Sequence, residues 1–410
     1  MLENHNIICF GPTDWWSMNP SCTTHIMRRL AGRNKILYVN PFSSDLAGGL
    51  KSKKGLGVRI ARKIKSIAKY IRRPADNLYV FSPFFLPVQG RWGIDVFNNA
   101  LLKLQIKAVC RFIGLSNPIL WVENIRAADV INDFDGCGLK LYYVSDLFSD
   151  DSYTTGRYLQ HKREKSVSYA SDLIICVSRK LYELKRSEKD CVYYVPHGVD
   201  FDLFRKAAEK RERLEELAGI PRPIAGYFGT LTAYNDIELL LWCARNLPDV
   251  SFVLAGQITG GDYSELQRLN NVHFLGRLPY EKIPQLCASF DVCMLAWKMS
   301  RWIESCNPLK MFEYMASGKP IVSVAIKEAM LYADVISIAH NKEEFCKAIL
   351  WEMQNDTAER RCRRIKIAEN HSWDNQVEKI SGLIIQAMAA KREGEKENLH
   401  CVYLGASANG

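Results

Sequence analysis

Two charged side chains stand out by their position. Lys310 and Glu313 lie in SCNPLKMFEYMASGKPIVSVA (305–325), a pattern that predicts a loop, a short helix, a glycine stop and a buried strand. Asn307 suits the N-cap of that helix, Pro308 its first position and Gly318 its stop. Leu309, Phe312 and Met315 or Ala316 share one face and should be core. Lys310 then falls in the first turn, where free backbone N–H groups and the positive end of the helix dipole already favour an anion. A lysine there has the wrong sign for helix stability and the right sign for a phosphate site. Glu313, three residues on, shares its side. A carboxylate so placed can accept hydrogen bonds from vicinal hydroxyls such as those of a ribose. The same spacing would also serve a plain local ion pair.

The elements that must hold these residues alternate. Short apolar runs at 6–11, 35–40, 77–82, 118–123, 140–145, 172–178 and 191–196 read as strands, rich in β-branched and aromatic residues. Helical patterns separate most of them, for example Cys22–Leu30 and Asn98–Phe112. After the turn-rich Pro196-His197-Gly198-Val199-Asp200 comes a charged helix, Arg205–Leu217. The alternation then resumes with strands at 224–229, 250–256, 272–276, 291–297 and 320–326, and with helices at Ile237–Asn246 and Tyr280–Ser289. Continuously apolar strands suit parallel sheets covered on both faces. Two such runs predict two doubly wound α/β domains, 1–198 and 199–372. A helix over 373–391 is long enough to cross between them, and 392–410 reads as a flexible tail.

Composition bounds the function. The chain has 410 residues and a net charge of +10, which favours an anionic partner. Its 13 cysteines form no Cys-x-x-Cys pair, and Cys9, Cys176 and Cys293 sit inside apolar runs. Buried free thiols in a reducing compartment fit better than a disulfide framework or a zinc site. The N-terminus has neither the basic region nor the apolar core of a signal peptide, and no stretch approaches the roughly 20 apolar residues of a membrane span. A cytoplasmic protein is expected.

One region breaks the alternation. Lys51–Arg73 carries ten basic residues, among them Lys63, Lys65, Lys69, Arg72 and Arg73, and no acidic one. Leu56, Ile60, Ile64, Ile67 and Ile71 mark an apolar stripe at helical spacing. The segment reads as a helix lying in the interface of an anionic membrane. A surface helix with a solvated basic face is the plainer alternative, and nothing else in the chain supports nucleic-acid binding.

NPLKMFEYMASGKPIV (307–322) resembles the nucleotide-sugar signature of GT-B glycosyltransferases, especially family-four-like enzymes of bacterial surface-polysaccharide and teichuronic-acid type. ICVSRKLYELK (175–185), YVPHGVDFDLF (194–204), YFGTLTAYNDIELL (227–240), VHFLGRLPYEKIPQL (272–286) and DVCMLAW (291–297) resemble further family segments in the expected order. The likeness implies an α/β GT-B fold, two facing Rossmann-like domains with a cleft between them. Glu313 would hold the ribose of a UDP- or GDP-sugar and Lys310 its diphosphate, with Asn307, Pro308 and Leu309 beside them. Gly229, Thr230 and Gly11 would let backbone approach the donor, and Arg277 would border the base. The sequence departs from the family at Thr230 and Asn235, where many members carry Arg and Lys, and at Ser305, where many carry a second glutamate. Positive charge for the leaving diphosphate would then come from Lys310, Lys298 and Arg301.

The N-terminal domain would take the acceptor. Asp14, Trp15 and Trp16 follow its first strand, and Asp146 ends its fifth with Asp150 and Asp151 close behind. At the carboxyl ends of strands these could meet sugar or acceptor; loop and cap chemistry is the alternative. Asp133-Phe134-Asp135 and Asp200-Phe201-Asp202 spell Asp-x-Asp beside turns, where acidic residues are common, so no metal site is expected. The resemblance implies transfer with retention, no cofactor and no essential metal, and domain closure that excludes water. The expected acceptor is a saccharide, lipid-linked at the inner face of the membrane, in polysaccharide biosynthesis. A nucleotide-sugar epimerase or hydrolase on the same scaffold, and a binding protein without turnover, remain alternatives.

Overall fold

The computed structural model describes residues 1–17, 19–41, 70–86, 92–132, 134, 136–147, 157–210 and 212–407. Two compact units divide the chain. One comprises Met1–Cys176, Leu181–Val195 and Val377–Gly410, the other Val177–Lys180 and Pro196–Gln376.

The first unit is built on β1 (Asn6–Phe10), β2 (Lys35–Val39), β3 (Ile71–Ala75), β4 (Leu78–Phe81), β5 (Ile119–Val122), β6 (Leu139–Val144), β7 (Leu173–Cys176) and β8 (Val192–Tyr194). They form one sheet in the order β3-β4-β2-β1-β5-β6-β7-β8. Every pair is parallel except β3 with β4. The second unit holds β9 (Ile224–Phe228), β10 (Ser251–Ala255), β11 (Val272–Gly276), β12 (Val292–Leu295), β13 (Ile321–Val324) and β14 (Ser337–Ala339). Their order is β11-β10-β9-β12-β13-β14, all parallel.

Burial explains why these runs are apolar throughout. Ile7 to Phe10, Ile36 to Val39 and Val292 to Leu295 are wholly buried. A parallel strand covered by helices on both faces has no solvent side to make polar. Each such side chain contributes roughly 1.5–3 kcal/mol when buried. Both sheets have a point where strand order turns back, β1/β5 in one and β9/β12 in the other, and doubly wound sheets bind ligands at the carboxyl ends of such strands.

All twelve apolar runs are strands. Two strands had no such run. β14 has only three residues, and β3 is an antiparallel edge strand, IRRPA, whose Pro74 is tolerated at an edge. β3 corrects the helix expected through Arg73. Arg72 and Arg73 are exposed strand residues, and Arg73 pairs with Asp76 at 2.8 Å. The remainder of that segment, with Lys63, Lys65 and Lys69, lies outside the described residues, as do Asp133, Asp135, Asp150 and Asp151. The charged helix after the Pro196–Asp200 turn runs Phe201–Lys210, earlier than expected. The last helix spans Trp373–Ser407, past the expected end at Lys391 and through most of the expected tail. Among the described residues no helix is long and apolar enough to cross a membrane.

Close packing at the ends of β9 and β10 requires glycine. A β-carbon on Gly256 would lie 1.9 Å from the backbone oxygen of Gly229, which cannot step aside as a flexible side chain could. Gly256→Ala should destabilise the fold by about 1–3 kcal/mol, read as a lower urea midpoint. An unchanged midpoint would show that the two loops are not packed this way.

Candidate functional site

The carboxyl ends of β9 and β12 meet the start of the helix Leu309–Ala316. Lys310 projects from its first turn, with Nζ 5.3 Å from the Tyr227 ring centre and 5.1 Å from that of Trp297. Tyr227 belongs to β9, and Trp297 follows β12. Two aromatic faces hold the ammonium by contacts worth about 0.5–2 kcal/mol each. Among the described residues it pairs with no carboxylate. The local ion pair with Glu313 that the spacing allowed is therefore absent.

Gly229 makes this arrangement possible. Its φ is +131°, and a β-carbon there would sit 2.4 Å from Lys310 Cε. The lysine side chain lies over bare backbone, which only glycine offers in that conformation.

The helix start differs from the expected cap. Pro308 is the N-cap residue and no side chain caps the first turn. Asn307 is diverted: its Nδ2 donates to the Val177 carbonyl at 2.9 Å and to Glu328 Oε2 at 3.2 Å. Glu328 Oε1 accepts from the Arg179 amide at 2.6 Å, and Ser178 Oγ donates to the Ser305 carbonyl at 2.7 Å. Buried pairing with segment 177–180 outcompetes the cap and leaves the leading N–H groups of the helix uncapped. Gly318, at φ +68°, follows the helix as expected.

Glu313 is half-buried in the next turn. Burial pushes its carboxyl up to about 7; the charge of Lys310 opposes this and that of Asp200 adds to it. Among the described residues no hydrogen-bond donor reaches its carboxyl oxygens.

The remaining expected donor residues are spread around the same end of the sheet. Thr230 is exposed after Gly229, and Arg277 is exposed after β11. Lys298 is exposed, and its backbone N–H donates to the Tyr234 carbonyl at 2.8 Å. Arg301 is exposed at the start of the helix Arg301–Ser305. Pro308 is buried and Leu309 half-buried. Asn235, at a position where many family members carry Lys, is buried: its Oδ1 accepts from the Thr232 amide at 2.9 Å and from the Tyr263 hydroxyl at 3.1 Å. It fixes the loop.

His197 is buried beside Trp373, and burial lowers its pKa to about 3, so it is neutral. Gly198 follows because the Trp373 indole occupies the place of a β-carbon, 2.6 Å away. Asp200 accepts from the Tyr280 hydroxyl at 3.1 Å. Among the described residues no three His, Cys, Asp or Glu side chains gather in a group able to hold a metal.

In the first unit the β1/β5 end carries a residue that sequence reasoning missed. Glu123, one residue past β5, is 1% exposed. The hydroxyl of Thr23 donates to its Oε2, and the Cys22 thiol lies 3.7 Å from its Oε1. Burial pushes its carboxyl up to about 8, a hydrogen bond from Ser145 opposing and the charge of Asp146 adding. Its only signal was an acid closing an apolar run. Asp146 itself is half-buried beyond β6.

Three other expectations change here. Trp15, expected at an acceptor or membrane surface, is 5% exposed and packs on Tyr38 with ring centres 5.0 Å apart. Asp14 closes a local turn through the Trp16 amide at 2.8 Å. Gly11 is glycine because Tyr38 fills the space beside it, its hydroxyl 2.0 Å from a β-carbon's place. Trp16 is 41% exposed.

Two doubly wound sheets flanked by helices, one wholly parallel and the other parallel but for its β3 edge, have the GT-B fold. Residues 222–355, which include the whole Lys310 cluster, match the model of the family "Glycosyl transferases group 1". Among solved structures, sucrose-phosphate synthase from Thermosynechococcus elongatus superposes with a TM-score of 0.66 at 13% identity, covering 94% of this chain and 100% of that one. HepE of Anabaena in complex with UDP-glucose gives 0.62 at 15% identity over 93% and 99%. In sequence, the chain is 29% identical over 198 residues to a Bacillus subtilis (strain 168) protein provisionally assigned as the teichuronic acid biosynthesis glycosyltransferase TuaH. That match covers 44% of this chain and 49% of TuaH, so the chain aligns with about half of that relative.

Glu313 offers a direct electrostatic test. An unfolded glutamate loses its proton near 4.5, the folded one near 7. Between those values the folded state holds the extra proton, so this group lowers stability as pH rises through the window. Glu313→Gln should raise Tm at pH 8, by at most about 3 kcal/mol of stability given its partial exposure. The gain should vanish near pH 4.5. An equal shift at both pH values would show that ionisation is not the cause.

Proposed function

We propose that the chain is a glycosyltransferase that takes a sugar from a nucleoside-diphosphate sugar, UDP-linked before GDP-linked, and gives it to a saccharide acceptor. The observation that carries this reading is Lys310, unpaired and held on two aromatic faces at the uncapped start of a helix, with Glu313 one turn on. A diphosphate supplies the missing negative charge, and a ribose the hydroxyls that Glu313 lacks. The UDP-glucose in HepE favours the uridine nucleotide.

In the proposed reaction the bond from the anomeric carbon to the diphosphate breaks, and its electron pair leaves with the diphosphate. Lys310 and the helix N-terminus stabilise that charge, with Lys298 and Arg301 further along the same segment. The acceptor hydroxyl attacks on the face the diphosphate leaves, so configuration is retained, and a diphosphate oxygen takes the proton. Side-chain cations and backbone N–H dipoles would together balance the charge of the leaving diphosphate. The acceptor lies with the first unit, where Asp146 is the candidate to meet it. Lipid linkage of the acceptor, at the cytoplasmic face of the membrane, is supported by the basic composition of 51–73. A binding protein without turnover is the second reading, favoured by the uncharged Thr230 and Asn235.

Nucleotide release from UDP- and GDP-sugars, with and without membrane extract, separates the two. Lys310→Ala should slow release about 10²–10³-fold, and normal rates would move the phosphate contact elsewhere. Glu313→Ala should weaken donor binding by about 1.5–3 kcal/mol; unchanged affinity for every donor would remove the ribose role. Binding without any release by the parent chain would favour the second reading.

A further inference from the structure

The helix Trp92–Ile113 in the first unit is apolar on two sides. Leu102, Ile106, Val109, Cys110 and Ile113 are buried and account for its packing. Yet Val96 and Phe97 are each 51% exposed, Leu104 66% and Phe112 81%. Phe97, Ala100, Leu104 and Ala108 follow at steps of three or four and form one outward line. An amphipathic helix on a globular protein shows polar residues there.

The charges on this helix are one-sided. Lys103, Lys107 and Arg111 recur every four residues, bordering or interrupting the outward line. Lys107 and Arg111 are exposed and pair with no carboxylate among the described residues. The helix sequence contains one acid, Asp95. At 1.5 Å per residue the helix is about 33 Å long. Exposed aromatic and aliphatic side chains interleaved with bases along such a length match an anionic bilayer surface, where rings enter the acyl boundary and bases meet lipid phosphates.

We infer that the outer face of Trp92–Ile113 is a membrane-contact surface for anionic lipid. Phe97, Leu104 and Phe112 insert, and Lys107 and Arg111 hold the headgroups. This gives the proposed transferase a described surface for reaching a lipid-linked acceptor and depends on that reading for its purpose, whereas vesicle binding is measured without donor or acceptor.

Co-sedimentation of the full chain with phosphatidylglycerol-rich and with pure phosphatidylcholine vesicles tests the surface. The parent chain should bind the anionic vesicles at low salt, release at high salt and ignore the neutral ones. A triple variant, Phe97→Ser, Leu104→Ser and Phe112→Ser, should bind about tenfold more weakly or worse. Its circular dichroism, Tm and vesicle-free nucleotide release should match the parent, because these side chains face outward. Lys107→Gln and Arg111→Gln together should weaken binding and flatten its salt dependence. Undiminished binding by the triple variant would overturn the assignment and leave the contact to other basic segments. So would failure of the parent to bind either vesicle. A parent dimer that the serine variant converts to monomer would also overturn it, making the face a contact between copies. Vesicle binding lost by the variant, with no nucleotide release from either protein, would sink the transferase reading and leave the membrane surface standing.

Discussion

An ammonium that meets no carboxylate among the described residues, at the positive end of a helix, is the constraint around which the second unit is arranged. The helix dipole alone would disfavour Lys310 by about 0.3–1 kcal/mol. Several residues accommodate it. Tyr227 and Trp297 offer ring faces, Gly229 offers backbone without a side chain, and Gly256 lets the neighbouring loop approach Gly229. Asn307 turns its amide to Val177 and Glu328 instead of capping the helix. Each choice gives up a local preference, and together they keep positive charge accessible at the β9/β12 end.

The two units share a plan and differ in how they use it. In each sheet the strand order turns back at one pair, and each such end carries a buried carboxyl whose proton is held to unusually high pH. Glu313 keeps contact with solvent and has no hydrogen-bond donor among the described residues. Glu123 is enclosed and accepts from Thr23, so it also holds the start of the helix Cys22–Leu30 against β5. The two carboxyls share a raised pKa and differ in their access to solvent.

Departures from family pattern acquire physical meaning in the structure. Asn235 fits its loop as an acceptor for two donors, which a lysine could not be. Ser305 is 1% exposed, and its hydroxyl donates to the Arg301 carbonyl at 3.0 Å, so it serves the short helix in which it lies.

The sequence by itself determined most of the architecture. Strand identity followed from apolar runs, because a strand covered on both faces leaves a local trace, and the helix at Leu309–Ala316 with its glycine stop followed from spacing. Lys310 was legible because it contradicts the local rule for a helix start, and Glu313 because it lies three residues on and shares that side. Tertiary structure alone decided the rest. β3 and β14 are short edge strands, each ordered by one neighbouring strand, β4 and β13, and too short or too polar to leave an apolar run. Trp15 is core because Tyr38 lies beside it, and Asn307 leaves its cap because Val177, 130 positions earlier, presents a carbonyl. Glu123 looked like the end of an apolar run until parallel pairing set β5 beside β1 and brought Thr23 to it. Local periodicity fixes which residues are buried, whereas a polar side chain's role depends on its partner, and strand order chooses the partner.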